Sequence, residues 1–338
     1  MEYRVNIDLA NSTKAGLADV IDGKDSRVLN RVGAFASLFR LDVKRYSEPV
    51  LVLKTEEPGT KQILAFQHDR VESVCTDMIN HLINDCVVMG AEPLAVQDLI
   101  VCGKLEKSLV TRIVQAVAAA CRAQGCALTG GETTEQPDVL PATSYILGSS
   151  IVGIVERSKV IDGSAIRVGD TVIAVGSSGP HTNGYTLIRD LLKHNPALAG
   201  TRVGSQSFLD AVLEPHRCYY ASIKGLFDRH VVGLAHITGG GIRENLDRIL
   251  PKGVDARIDL GSYRPPPVFA AIRAAGQSSP ELMLRTFNLG VGLAVVCRPN
   301  RTTEVLSHLS VAGEVASVIG EIIPGMGTVQ CHGTVAGL

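Results

Sequence analysis

The sequence predicts an α/β (α+β) protein of two domains. Apolar segments of strand length alternate with segments of helical periodicity, and no internal repeat or low-complexity stretch interrupts them. The length of 338 residues exceeds one ordinary domain, because domains usually hold about 100 to 200 residues. Polar turn residues separate two apolar runs at residues 159–170. We therefore expect an N-terminal domain over residues 1–165 and a C-terminal domain over residues 166–338.

The clearest helix signal lies in the N-terminal half. Val71, Val74, Met78 and Leu82 recur at helical spacing, which predicts a helix over residues 69–89. The other elements predicted in this half are strands at 48–54, 62–66, 93–101 and 144–155, a helix at 106–123, a strand ending at 129–130, and loops at 55–61 and 132–138. The C-terminal half is expected to contain a strand at 171–175, a helix beginning near residue 185, a helix at 215–229, a turn and helix at 236–250, and strands with a helix at 289–323.

One turn between a predicted strand and a predicted helix is suited to bind an anion. Residues 175–185 read VGSSGPHTNGY. Gly176, Gly179 and Gly184 let the backbone approach a ligand closely, and free N–H groups at a helix start favour a phosphate. Taken alone, the segment fits an ordinary strand-turn-helix connection at least as well. It has neither the Lys-Ser/Thr end of a Walker loop nor the spacing of a dinucleotide fingerprint.

Charge and composition exclude several classes of partner. A net charge of −1 and a pI near 6.8 give no electrostatic basis for binding nucleic acid or an anionic membrane. The N-terminal residues have no signal-peptide pattern, and no apolar run reaches the ~20 residues that span a bilayer, so we expect a cytoplasmic protein. The eight cysteines form no CxxC pair and are expected to be reduced structural thiols.

Four further segments share the character of the first turn, and together the five resemble one family. They read NDCVVMGAEP (84–93), TGGETTEQP (129–137), HITGGG (236–241) and RTFNLGVG (285–292). With GSSGPHTNGY, and in this order, they closely resemble the aminoimidazole ribonucleotide synthetases, also called phosphoribosylformylglycinamidine cyclo-ligases. The resemblance covers about residues 46–320. It implies a fold in which the N-terminal half contributes strands to a dimeric barrel and the C-terminal α/β domain binds substrate.

The resemblance also implies an activity. It is the ATP-dependent ring closure of formylglycinamidine ribonucleotide to aminoimidazole ribonucleotide in purine biosynthesis. ATP phosphorylates the amide oxygen, which is otherwise a poor leaving group, to give an iminophosphate and ADP. The neighbouring amidine nitrogen then attacks the carbon of the iminophosphate, and phosphate leaves. The expected cofactors are ATP and Mg²⁺, the expected partner is a small nucleotide substrate, and the expected assembly is a homodimer.

Carboxylates near element ends supply the hard oxygen ligands that Mg²⁺ prefers. Any single one of them is more commonly a solvated loop charge. The resemblance selects Glu56, Asp85 and Glu132 as metal ligands. It selects these residues for the nucleotide: Thr55, Gly59, Thr60, Lys61, Asp85, Gly130 and Gly131. An exposed lysine is the ordinary expectation for Lys61.

The second domain is expected to hold the substrate. His181, Asn183 and His236 are the candidate catalytic residues, because they can donate hydrogen bonds to a phosphate or to an amide under activation. The candidate substrate-binding residues are Gly179, Thr238, Gly239, Gly240, Gly241 and Asn288. For the turn that contains Asn288, a packing role is about as consistent as a ligand role.

Two departures from the family pattern leave alternatives open. The family's Thr-Asp-Gly-Val-Gly-Thr-Lys loop is replaced here by TEEPGTK at residues 55–61, and His216 stands where the family has threonine. Pro58 restricts the loop, and Glu56 is a longer carboxylate than aspartate. The alternatives are a paralogous ATP-dependent ligase or kinase that activates another amide or carbonyl, and a non-catalytic nucleotide-binding protein.

Overall fold

Two β-sheets organise the chain, one in each half. The computed structural model describes residues 6–21, 25–30, 33–227 and 231–338. Within these residues, the N-terminal half forms a four-stranded sheet, and the C-terminal half forms a six-stranded sheet and a two-stranded ribbon. The mixed α/β class predicted from the sequence is confirmed. None of the described helices has both the length and the apolar composition that spanning a membrane requires.

The N-terminal half packs helices on one face of its sheet. Its elements are α1 (Ile7–Ile21), a 3-10 turn (Val43–Arg45), β1 (Pro49–Glu56), α2 (Lys61–Gln67), α3 (Val71–Val87), β2 (Glu92–Cys102), α4 (Lys107–Ala123), β3 (Ala127–Glu135), β4 (Tyr145–Glu156) and a 3-10 turn (Arg157–Lys159). The strand order is β1-β4-β2-β3, and only β2 and β3 pair in parallel. Helix α3 packs on β1 and β4 and against α4, so it is buried along most of its length.

The other face of this sheet is apolar and exposed. Side chains alternate between faces along a strand, so Val52 of β1 points towards the helices while Leu51 and Leu53 point away from them. Leu51 is 52% exposed and Leu53 is 70% exposed. Leu99 of β2 and Ile146 of β4 are exposed on their strands in the same way. We refer to these four residues as the outer apolar face.

The C-terminal half is built on a sheet that contains a fully buried strand. Its elements are β5 (Thr171–Gly176), α5 (Tyr185–His194), a 3-10 turn (Pro196–Gly200), β6 (Arg202–Val203), β7 (Gln206–Ser207), α6 (Phe208–Leu213), α7 (Tyr220–Ile223), a 3-10 turn (Lys224–Leu226), β8 (Val231–His236), α8 (Gly241–Leu246), a 3-10 turn (Asp247–Ile249), β9 (Val254–Asp259), α9 (Pro267–Gly276), α10 (Pro280–Thr286), β10 (Val291–Cys297), a 3-10 turn (Pro299–Arg301), α11 (Thr302–Val311), β11 (Ala316–Pro324) and β12 (Val329–His332). The strand order is β12-β9-β11-β5-β10-β8. Every residue of β10 is buried, as its continuous apolar sequence requires.

Most elements match the sequence prediction, and three segments do not. The segment at 62–66 is helix α2 rather than a strand, because Lys61, Leu64 and Ala65 bury one helical face. The predicted acidic loop at 132–138 begins inside β3, which stays paired with β2 as far as Glu135. The predicted helix at 215–229 is reduced to α7 and the short turn after it. Residues 228–230 of that prediction lie outside the described part of the chain.

Candidate active site

Three glycine-containing turns meet at one end of the C-terminal sheet. The carboxyl ends of β5 and β8 flank the amino end of β10, because β10 is antiparallel to both strands. Asn288 Nδ2 donates to the Gly179 carbonyl at 3.0 Å, and its Oδ1 accepts from Ser177 Oγ at 3.1 Å. The segments around residues 179, 239 and 288, which lie far apart in the sequence, therefore form one edge of a site.

Two of the glycines in these turns are required by close packing. Gly241 has a φ of +63°, and a Cβ there would lie 2.1 Å from the Leu284 carbonyl oxygen. Gly184 has a φ of +80°, and a Cβ there would lie 2.0 Å from the Phe287 ring. The carbonyls of the 238–241 turn are held by Asn245, whose Nδ2 donates to Gly239 at 3.0 Å and to Gly241 at 2.8 Å. This arrangement makes the turn rigid.

Helix α3 brings a row of polar side chains from the N-terminal half to this edge. Asp77 Oδ1 accepts from the His216 N–H at 2.6 Å, and Asn80 Nδ2 donates to the His216 carbonyl at 2.6 Å. Asn84 accepts from the Tyr219 N–H at 2.9 Å and donates to the Arg217 carbonyl at 2.8 Å. These side chains supply the hydrogen bonds that helix geometry would otherwise provide, which explains why residues 215–219 are not helical.

Four imidazoles cluster where α3 meets the turns. The rings of His181 and His216 stack with centroids 3.9 Å apart, and His216 Nε2 lies 2.9 Å from His236 Nε2. His81 on α3 has its ring centroid 5.0 Å from that of His236, and its Nδ1 lies 3.1 Å from Thr182 Oγ1. Burial lowers the pKa of His81 to about 4 and moves the pKa values of His181 and His216 well below their ordinary value. These three rings are therefore neutral at pH 7.

Asp85 and Glu56 share a cation supplied by the chain itself. Lys54 Nζ lies 2.9 Å from Asp85 Oδ2 and 3.1 Å from Glu56 Oε2. The other oxygen of Asp85 lies 2.7 Å from His236 Nδ1. Burial alone would raise the pKa of Asp85, but the His236 hydrogen bond and the nearby cationic groups hold it well below its usual range. Asp85 is therefore ionised and joins the N-terminal acidic motif to the turn after β8.

Lys61 is a buried structural cation in this fold, so the expectation of an exposed lysine is wrong. Its side chain is 0% exposed. Its ammonium lies 2.8 Å from Asp77 Oδ2 and donates to the carbonyls of His181 at 3.0 Å and Glu214 at 2.9 Å. His181 has a φ of +58°, a conformation that is unfavourable for a residue with a Cβ. The Lys61 contact helps to hold it there.

The remaining predicted nucleotide residues are spread over both faces of the N-terminal sheet. Glu132 pairs with Leu99, which places its exposed side chain on the outer apolar face, opposite to Glu56 and Asp85. Thr55 is on that outer face too, and Thr60 is exposed before α2. Glu132 and the Glu56–Asp85 pair are not brought together within one chain.

Gly59, Gly130 and Gly131 are placed by contacts with neighbouring segments. A Cβ at Gly59 would lie 3.3 Å from the Thr182 carbonyl oxygen, and Gly130 has a φ of +141°. A Cβ at Gly131 would lie 1.9 Å from Asp98 Oδ1. Burial raises the pKa of Asp98 to about 7, and no cation holds its charge among the described residues.

Five residues around the candidate catalytic histidines were not predicted as site residues from the sequence: Lys54, Asp77, His81, Asn84 and His216. A signal for three of them was present. Asp77, His81 and Asn84 recur at helical spacing in a helix that otherwise reads as apolar, and a polar stripe on a buried helix indicates a buried polar contact. Lys54 and His216 carry no such signal, because Lys54 lies on a strand and His216 lies in a segment without regular secondary structure.

Family models identify the chain. The model described as AIR synthase related protein, N-terminal domain, matches residues 36–155, and the model for the C-terminal domain matches residues 167–332. The chain belongs to the AIR synthase related family. A phosphoribosylformylglycinamidine cyclo-ligase of Chromobacterium violaceum is 42% identical over 297 residues, which cover 87% of this chain and 86% of the relative. One from Trichlorobacter lovleyi is 39% identical over 326 residues, which cover 95% and 93%.

Solved structures of low sequence identity share the fold. Escherichia coli HypE superposes with a TM-score of 0.68 at 17% identity, covering 98% of this chain and 94% of that one. Thiamine-monophosphate kinase from Stenotrophomonas maltophilia gives a TM-score of 0.67 at 15% identity, covering 98% of both chains. A HypE structure in complex with ATP gives a TM-score of 0.63 at 16% identity. The family is ATP-utilising.

Proposed function

We propose that this protein catalyses the ATP-dependent cyclisation of formylglycinamidine ribonucleotide to aminoimidazole ribonucleotide, as a cytoplasmic enzyme of purine biosynthesis. Curated cyclo-ligases about as long as this chain share roughly two fifths of their residues with it. The observation that carries the proposal is the 2.7 Å contact between Asp85 Oδ1 and His236 Nδ1. It joins the acidic motif of the N-terminal half to the glycine turns of the C-terminal half, so that one site can hold both a nucleotide and a substrate phosphate.

The donor set fits a divalent cation bound to a nucleotide. Glu56 and Asp85 already direct one carboxylate oxygen each at a single cationic group, the Lys54 ammonium. Two carboxylates and several waters are a common environment for Mg²⁺, which neutralises phosphate charge when bound. Lys54 moves aside in this proposal and can then contact a phosphate oxygen. Thr60 and Gly59 would lie along the nucleotide at the start of α2.

The C-terminal turns supply donors for the substrate. Asn183 Nδ2 is buried and has no hydrogen-bond partner among the described residues, so it is an available donor for a phosphate or amide oxygen. A Cβ at Gly239 would lie 2.9 Å from Asn183 Oδ1, so only a residue without a side chain leaves this space open. In the proposal, Asn183 and the 238–241 turn hold the substrate, and the rigid His181 backbone fixes the position of Asn183. The nucleophile is the substrate's own amidine nitrogen.

A homodimer completes the proposed site. The outer apolar face exposes four large side chains on a flat sheet, and such a surface is normally covered. A second copy of the four-stranded sheet would cover it and would form the expected barrel. Glu132 lies on that face, so it can join a cation site only across the dimer interface. We therefore assign Glu132 to a nucleotide site made by two subunits.

The test is a direct assay for aminoimidazole ribonucleotide with the purified protein, ATP and formylglycinamidine ribonucleotide. We expect product from the wild type and loss of at least about 100-fold in kcat for Asp85→Asn. Arg243→Ala, at an exposed ion pair on α8, is the matched control and keeps its activity. Absence of product at every substrate concentration would exclude the cyclo-ligase function.

One observation favours the paralogue as a second candidate. The Lys54 ammonium lies between the two carboxylates, and Glu57 and Pro58 replace the glycine and the valine of the family's loop. A paralogue whose loop is adapted to another carbonyl substrate would turn over ATP without forming aminoimidazole ribonucleotide. Changing Glu56-Glu57-Pro58 to Asp-Gly-Val separates the two cases. The cyclo-ligase keeps or gains cyclisation, whereas the paralogue loses its own reaction and gains none.

A further inference from the structure

We propose that His181, His216 and His236 form a binding site for one divalent transition-metal ion, with Zn²⁺ as the fitting ion. Each imidazole can offer one ring nitrogen, and the three nitrogens lie within 4.8 Å of one another. Zinc holds nitrogen ligands at about 2.0 to 2.1 Å in a tetrahedron, which places neighbouring ligand nitrogens roughly 3.3 Å apart. The His181 and His216 rings are stacked with their planes 20° apart, and imidazole lone pairs lie in the ring plane, so one of these rings must rotate out of the stack for both to reach one ion. The three ligand nitrogens belong to other residues than the Glu56–Asp85 pair, although Asp85 contacts His236, and the site goes beyond the proposed cyclisation.

The hydrogen bonds fix His236 in the tautomer that a metal requires. Its Nδ1 lies 2.7 Å from the ionised Asp85 carboxylate, so Nδ1 carries the proton and Nε2 has a free lone pair. That Nε2 faces His216 Nε2 at 2.9 Å. A carboxylate behind an imidazole in this way orients metal-binding histidines and raises their basicity. Asp85 is thus a positioning residue for this site.

Without a cation, the cluster is incompletely satisfied. His216 Nε2 must donate its proton to His236 Nε2, which leaves His216 Nδ1 as a buried acceptor. Neither His216 Nδ1 nor His181 Nδ1 has a hydrogen-bond partner among the described residues. If His181 Nδ1 is the ligand atom, the proton of the ring must lie on Nε2, and the 3.3 Å hydrogen bond that the Ser178 N–H donates to Nε2 is lost. Buried polar atoms without partners are uncommon in folded proteins, and here two of them belong to stacked rings in one cluster.

The chemistry of the ligands selects the class of ion. His181 and His216 are both 1% exposed, and each can direct one unprotonated ring nitrogen at an ion while the other nitrogen keeps the proton. Neutral imidazole ligands suit Zn²⁺, Co²⁺ and Ni²⁺, whereas Mg²⁺ requires oxygen. The negative charge of Asp85 compensates part of the charge of a buried dication. The three histidines therefore disfavour Mg²⁺, the ion that is expected with the nucleotide.

The experiment measures metal binding and not activity. The full-length protein is stripped with a chelator and titrated with Co²⁺, whose visible absorption reports tetrahedral nitrogen ligation, and Zn²⁺ is then added as a competitor. We expect one Co²⁺ per chain, displaced by Zn²⁺ and not by excess Mg²⁺. His216→Thr, which restores the family's residue, should lower the affinity at least roughly 100-fold while thermal unfolding remains cooperative. His194→Ala, at an exposed histidine at the end of α5, should bind like the wild type.

Two results would overturn the site. One is a wild type that takes up no Co²⁺ or Zn²⁺ at submillimolar concentrations, and the other is a His216→Thr protein that binds the ion as tightly as the wild type. Glu56→Gln distinguishes this site from the nucleotide cation, because it should weaken binding of magnesium nucleotide and leave the Co²⁺ spectrum unchanged. Loss of the Co²⁺ spectrum in Glu56→Gln would assign the ion to the carboxylates instead.

Discussion

Replacing Lys61 with methionine should remove the central contact between the two halves of the protein. The substitution keeps the length and the apolar stem of the side chain and deletes only its charge and its donors. Three acceptors lose the ammonium: Asp77 Oδ2 at 2.8 Å and the carbonyls of His181 at 3.0 Å and Glu214 at 2.9 Å. All three are oxygens directed at a side chain that is 0% exposed, so water cannot replace the lost donor without rearrangement.

The expected loss in free energy of unfolding is large. Breaking a buried ion pair by removing one partner costs about 3 to 5 kcal/mol, because the other charge is left uncompensated. Burial already lowers the pKa of Lys61 and raises that of Asp77, so the remaining Asp77 can take up a proton and recover part of this cost. The two carbonyls without their donor add to it. We expect a loss of about 4 kcal/mol, which is a substantial part of the roughly 5 to 15 kcal/mol that stabilises a typical domain.

Urea denaturation followed by circular dichroism measures this loss. The matched control is Arg70→Met, which breaks the 2.8 Å Arg70–Asp210 ion pair between side chains that are 53% and 45% exposed. Exposed pairs contribute less than about 1 kcal/mol, so this control should remain close to the wild type. The double variant Lys61→Met with Asp77→Asn should be more stable than Lys61→Met alone. The second change removes the orphaned charge and keeps the oxygen that accepts from the His216 N–H.

The reasoning would be refuted by a loss for Lys61→Met no larger than that for Arg70→Met. It would also be refuted by a double variant less stable than the single one, since that result would mean that Asp77 is not destabilised by losing its partner.

Three further predictions concern separate parts of the fold. The folded protein keeps the Asp98 proton up to about pH 7, while the unfolded chain releases it near the ordinary value of 3.8. Stability should therefore fall as the pH rises through that window, and Asp98→Asn should flatten the profile in urea titrations; an unchanged slope contradicts this. Leu53→Glu, on the outer apolar face, should convert the proposed dimer to monomers in sedimentation experiments, whereas Val311→Glu, on an exposed helix end, should not. Gly241→Ala should lower the free energy of unfolding by at least about 2 kcal/mol because of its positive φ and its contact with a carbonyl, and Gly200→Ala, with open space around it, should be close to neutral. Equal effects of the two glycine substitutions would argue against a tightly packed turn.

The sequence predicted those parts of the fold that depend on local signals. Helices α3 and α4 and strand β10 follow from periodicity and from apolar runs. The prediction of a strand at 62–66 was wrong because a short apolar run does not distinguish a strand from a helix. Only the contacts of the buried side chains select helix α2. The segment at 215–219 does not continue α7 towards the N-terminus, because side chains of α3 bind the N–H groups of His216 and Tyr219 and the carbonyl of His216. Such contacts join residues more than one hundred positions apart, and nothing local predicts them.

The face on which Glu132 lies shows a second limit. A register shift between Val96 and Gln97 sets the pairing of β2 with β3, and this pairing places Glu132 beside Leu99. A slip of one residue would have turned the Glu132 side chain to the opposite face, towards Asp85. Motif spacing identifies the acidic residue but contains no information about this bulge. The family resemblance therefore selects candidate ligands without saying which of them share one chain.

The polar stripe of α3 has a consequence for how this protein can be recombined. Asp77, Asn80 and Asn84 act as a template for the backbone of residues 216–219, which has no regular secondary structure of its own. The two sheets lie in separate halves of the chain, but exchanging the halves at residues 159–170 would separate α3 from the segment that it binds. A chimera that takes its C-terminal half from a relative would keep this protein's α3, whose polar side chains fit the 214–219 segment of this chain and not that of the relative. Only a chimera that takes α3 and residues 214–219 from the same parent preserves these hydrogen bonds.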